Sequence, residues 1–174
     1  MKQPTKIGIL GIGNLLLADE GFGIHCIERL QKEYVFPPTI ELLDGGTAGI
    51  MLAPFMEDKD ILFIIDVVNL KYEPGSIHCF SDQEVRSGNI QTRMSPHQVG
   101  LLEILDLCRL RGRTPDRVEM LTVVPADLST RIGLTAPLIT AQDRIIDTLL
   151  EKLTTLDIFP ARQHGGQKIL APVH

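Results

Sequence analysis

Apolar residues fall in short blocks along this chain, and the period changes from block to block. "KIGILGIG", Lys6 to Gly13, is almost continuously apolar and ends in glycines, as a strand buried on both faces does. From Asp19 the spacing turns helical, with Phe22, Cys26, Ile27, Arg29 and Leu30 recurring together, and Asp19 stands in the position of an N-cap. "TIELLDGG" predicts a second strand closed by an Asp-Gly-Gly turn, and "TAGIMLAPFM" a short helix with Pro54 disturbing its later part. "ILFIIDVV" is the third strand and the most apolar segment of all. "KYEPGSIHCF" holds a turn at Pro74-Gly75 and a fourth, alternating strand, after which Ser81 to Met94 is polar and aperiodic, a loop. "SPHQVGLLEILDLCRLRG" predicts a helix with Val99, Leu102, Ile104, Leu105 and Cys108 on or near one face and Gly112 past its end. "RVEMLTVVPAD" is a fifth strand, and "TAPLITAQDRIIDTLLEKL" a final amphipathic helix.

Strands alternating with helices predict an α/β fold: a single domain over residues 1–153, with a five-stranded, mostly parallel, twisted sheet and helices on both faces. The fourth strand follows the third with no helix between them, so it is expected to run antiparallel, because parallel neighbours need a long crossover. Residues 154–174 have no period and are expected to form a mobile C-terminal tail.

Composition narrows the function. With 174 residues, 44% of them hydrophobic, the chain can bury one sizeable core. A net charge of −5 argues against a nucleic-acid partner, which needs a basic stripe. No apolar run approaches the roughly 20 residues that span a membrane, so no membrane insertion is expected. Lys2 and Lys6 lead directly into the first strand without a signal-peptide core, and Cys26, Cys79 and Cys108 form no C-x-x-C pair. Both features predict a cytoplasmic protein with reduced thiols, Cys26 and Cys108 being packing residues.

Parallel sheets place their ligand sites at the carboxyl ends of the strands. Asp19 and Glu20 follow the first strand, Asp44 closes the second, Asp66 closes the third, and His97 stands in the turn opening the third helix. Each has a plainer reading. Asp19 or Glu20 could cap a helix, the favoured reading for Asp19, and Asp44 before Gly-Gly could be a turn residue. His97 could cap its own helix. Asp66 is harder to dismiss, because an ionised carboxylate in so apolar a strand needs a partner or a metal. Two carboxylates and an imidazole form a set that a divalent metal accepts. An aspartic dyad of Asp66 with the first carboxylate is an alternative. His25 and His78 read as structural, and His164 and His174 lie in the tail. No Walker lysine, G-x-S-x-G elbow or H-E-x-x-H is present, and "GIGNLL" has Leu16 where a dinucleotide fingerprint needs a small residue.

"GIGNLLLADEGFG", "LLDGGTAG", "IIDVV", "SPHQVGL" and "VVPADLSTRIGLT" together resemble the maturation endopeptidases of nickel–iron hydrogenases, over Lys6 to about Leu153. The resemblance implies that Glu20, Asp66 and His97 bind metal, and that the turn Asp44, Gly45, Gly46 and Thr47 serves substrate recognition and cleavage. It implies an endopeptidase that removes a short C-terminal peptide from the hydrogenase large-subunit precursor after nickel insertion. The metal is then nickel supplied by the substrate, with no tightly held ion expected, and no catalytic residue is assigned beyond these. Two rivals stand beside it: a non-catalytic chaperone escorting the metallated precursor, and an α/β hydrolase acting on a small metabolite.

Overall fold

The computed structural model describes residues 4–87 and 96–163, with the backbone alone for Arg86 and residues 96–99. Strand β1 (Ile7–Ile12) leads through a 3-10 turn (Ala18–Gly21) into helix α1 (Phe22–Glu33), short strand β2 (Tyr34–Val35) and strand β3 (Ile40–Gly46). A second 3-10 turn (Gly49–Leu52) runs into α2 (Ala53–Glu57), followed by β4 (Ile61–Val67), β5 (Ile77–Phe80) and α3 (Asp82–Ser87). The chain closes with α4 (Pro96–Leu110), β6 (Arg117–Val123), α5 (Ala136–Thr154) and β7 (Ala161–Arg162).

The main sheet has five strands in the order β3-β1-β4-β6-β5, all parallel except β5. Strand alternation divides the core in two. Ile7, Ile9, Phe63, Ile65, Leu121 and Val123 face one side and pack with α1 and α5. Leu10, Ile12, Leu62, Ile64, Val118 and Met120 face the other and pack with α2, α4 and Val85 of α3. The single α/β domain with helices on both faces follows the hydrophobic pattern.

Four details depart from that pattern. β5 is antiparallel as expected, yet it pairs with β6 and not with the third strand β4 that precedes it. Pro54 occupies the first turn of α2 and so opens that helix, where its missing N–H costs nothing. Part of the expected loop from Ser81 is helix α3, capped reciprocally: the Ser81 N–H donates to Glu84 Oε2 at 2.9 Å and the Glu84 N–H to Ser81 Oγ at 3.5 Å. The remainder of that loop, 88–94, lies outside the described residues. Beyond Leu153 the chain stays on the domain through Gln163: Leu156 and Ile158 pack on the core and β7 pairs antiparallel with β2. The rest of the expected tail, with His164 and His174, lies outside the described residues.

Candidate active site

From β1 the chain crosses through α1 to β3 on one side, while the following connection through α2 reaches β4 on the other. β1 and β4 are adjacent, so their carboxyl ends border the switch point where an open α/β sheet binds its ligand. Glu20 comes from the 3-10 turn beyond β1, which packs against β4, and is 8% exposed. Asp66 is the sixth of seven residues in β4 and 1% exposed. It alternates with Leu62 and Ile64, so it belongs to the sheet face covered by α2 and α4. Its Oδ1 accepts the Val67 N–H at 2.7 Å.

Backbone glycines make this corner possible. Gly13 has φ 143°, and a Cβ there would stand 1.8 Å from the Glu20 carbonyl oxygen, so only glycine lets the 3-10 turn fold back onto the end of β1. Gly23 does the same for α1: a Cβ would lie 2.3 Å from the Ile65 carbonyl and 2.4 Å from that of Ile12. The helix therefore sits directly on the two central strands.

Asp19 proves to have a different role from the cap that its spacing suggested. No side chain caps either the 3-10 turn or α1. The Asp19 carboxylate is fully buried and reaches the loop after β6. Oδ2 accepts the N–H groups of Ala126 and Asp127 at 2.8 and 2.9 Å and the Thr135 hydroxyl at 2.9 Å; Oδ1 accepts the Thr135 N–H at 2.7 Å. Backbone bonds run alongside, from Ala18 N–H to the Arg131 carbonyl and from Asp19 N–H to that of Asp127. They hold Ala18 at φ 45°, a left-handed conformation that alanine adopts only under such constraint. The turn carrying Glu20 is thus clamped from both sides.

Asp44 ends β3 at the same edge and is exposed. Its Oδ1 accepts the Gly46 N–H at 2.9 Å, and the Gly46 carbonyl accepts the Gly13 N–H at 3.1 Å, tying the D-G-G-T turn to the end of β1. Beside this turn is a recess of about 180 Å3 lined by Ile12, Gly46, Thr47, Gly49, Leu52, Gly100, Leu101 and Ile104. The second turn of α4 forms one wall. His97 is the second residue of that helix, one turn before Leu101, and its side chain lies outside the described residues. Among the described residues no three His, Cys, Asp or Glu side chains cluster as a metal set; Glu20 and Asp66 supply two carboxylates at one edge.

The other two described histidines make local contacts. His25 in α1 has Nδ1 3.3 Å from Glu28, and the His78 ring leans on Tyr72 with centroids 4.6 Å apart. Cys26 and Cys108 are buried, Cys79 is exposed, and all are free thiols; burial raises the Cys26 thiol far above its usual range. No helix of the described residues is long and apolar enough to cross a membrane.

The fold and edge define an open α/β domain with acidic residues and a polar turn at its ligand-binding switch point, and comparison with known proteins makes it particular. Residues 24–152 match the hydrogenase maturation protease family, and the chain belongs to that family. It is 40% identical to the hydrogenase 2 maturation protease of Escherichia coli, over 75% of this chain and 79% of that one. It is 37% identical to the hydrogenase expression/formation protein HoxM of Azotobacter vinelandii, over 99% of this chain and 83% of the relative. The fold superposes on the hydrogenase maturating endopeptidase HybD from E. coli with TM-score 0.86 at 34% identity, covering 91% of this chain and 98% of that one. The protein is accordingly a peptide hydrolase of hydrogenase maturation.

Proposed function

We propose that this endopeptidase removes a short C-terminal peptide from the nickel-loaded precursor of a nickel–iron hydrogenase large subunit, and that it recognises the nickel the precursor carries. One observation carries the reading: the D-G-G-T turn borders an aliphatic recess at the same sheet edge to which Glu20 and Asp66 belong. Glu20, Asp66 and His97 are the transient ligands. Two carboxylates and one imidazole leave coordination positions open for the substrate's own ligands, and the absence of thiolates keeps the set exchangeable. Asp44 and Gly45 to Thr47 form the lip over which the tail passes, with Asp44 exposed two residues before the recess-lining Gly46. The reading places the enzyme in the cytoplasm, where its thiols stay reduced.

Exposed Leu16 and Ile132 on one side of the edge, and Ile50 and Met51 on the other, favour a protein substrate over a free metabolite. Among the described residues the recess lining also contains no charged side chain with which to hold a small anion or cation. The test incubates the purified chain with nickel-loaded and nickel-free large-subunit precursor and follows the precursor's mass. Loss of the tail from the loaded form alone is expected. Equal cleavage of both forms removes nickel recognition; binding without any cleavage makes the chain an escort.

A further inference from the structure

Gly100 has no conformational reason to be glycine. It lies in the second turn of α4, and glycine is the poorest helix former apart from proline. Every other described glycine has either a left-handed backbone or a neighbour standing where a Cβ would go; a Cβ on Gly100 meets no described atom within 4 Å. What lies beside it is the recess, whose other walls are Ile12, Leu52, Leu101, Ile104 and the Gly46–Thr47 segment.

We propose that Gly100 is a specificity-determining residue: the space left by its missing side chain receives one aliphatic side chain of the precursor's C-terminal tail. This rests on the endopeptidase reading above. The occupant follows from the lining and the volume. The described walls are aliphatic or glycine apart from Thr47, so a charged side chain would lose its hydration without gaining a partner among them. A dry apolar cavity of roughly 150 Å3 holds a benzene ring, so about 180 Å3 admits a side chain as large as leucine or methionine. Gly46 and Thr47 belong both to the recess and to the turn of Asp44, so a side chain seated there belongs to the stretch of tail which that turn engages.

The experiment uses the full chain and nickel-loaded precursors carrying Ala, Leu or Lys at each tail position flanking the cut. With the wild-type chain, one position should prefer Leu, and Lys there should lower kcat/KM by about 10–200-fold. Gly100→Leu narrows the recess from the helix side, where a Cβ meets no described atom within 4 Å. It should lose about 10–200-fold on the Leu precursor while keeping its rate on the Ala precursor, with Gly100→Ala intermediate and neither variant melting below wild type. Gly100→Leu acting on the Leu precursor at the wild-type rate, or losing every precursor equally, overturns the proposal alone. A wild-type chain that cuts none of the precursors overturns the endopeptidase reading together with it.

Discussion

At the residue scale, two aspartates of the same edge are held in opposite ways. Asp19 is buried with four hydrogen bonds to partners more than a hundred residues away, whereas Asp44 is exposed and bonds only within its own turn. Asp19→Ala leaves four donors at the β6 loop without their acceptor, and buried donors stripped of a partner cost about 1–3 kcal/mol each at most. It should lower Tm by several degrees, and it should impair cleavage because the Glu20 turn loses its clamp. Asp44→Ala should melt within a degree or two of wild type and still lose cleavage. Measuring Tm and precursor cleavage on the same samples checks both, and an Asp19→Ala protein with unchanged Tm would contradict the clamp. The position of Glu20 and Asp66 at the carboxyl edge was legible because parallel topology dictates where strand ends lie. The role of Asp19 was not, since its spacing imitates a cap and no local pattern reveals its partners.

At the element scale, strongly periodic segments were legible and short or solitary ones were not. α3 was hidden because Val85 is the one buried residue among its described side chains, though the Ser81-x-x-Glu84 capping pair was there to be read. β5 was placed in the right direction beside the wrong neighbour, since a short connection fixes direction but not which strand waits at the sheet edge. One polar device ties α5 to the sheet. Glu119 of β6, buried, accepts hydrogen bonds from Lys152 of α5, at 2.7 Å, and from Arg117 of its own strand. Burial by itself raises the Glu119 carboxyl, but the hydrogen bonds from Lys152 and Arg117 outweigh it and hold the group below the usual glutamate range. A carboxyl depressed in the folded state contributes stability above its unfolded value, about 4.3, and loses it as pH falls through the folded value. Glu119→Gln should therefore cost about 1 kcal/mol at neutral pH, since Lys152 and Arg117 remain partly solvated. The difference from wild type should shrink steadily below pH 4.5. Thermal melts of both proteins across that range check it, and a gap that stays constant down to acid pH would remove Glu119 as its source.

At the scale of the whole molecule, the two apolar cores on either side of the sheet carry stability, and the carboxyl edge is free to carry a function that works against it. Glu20 and Asp66 bring two nearly buried carboxylates to one end of the sheet, and on the proposed reading these two carboxylates hold the cation. A cation that binds the folded chain alone stabilises it by about 2.7 kcal/mol at a hundred times its dissociation constant. For a domain of this size that raises Tm by roughly 5–11 °C. Millimolar nickel or cadmium should thus produce a concentration-dependent rise in the wild-type Tm. Asp66→Asn and Glu20→Gln, which keep the side-chain shapes, should fold, melt near the metal-free wild type, and show much less of that rise. His97→Ala should behave likewise if the imidazole at the start of α4 completes the set. The same rise in all four proteins would locate the bound ion elsewhere on the surface and leave the carboxyl edge without its metal.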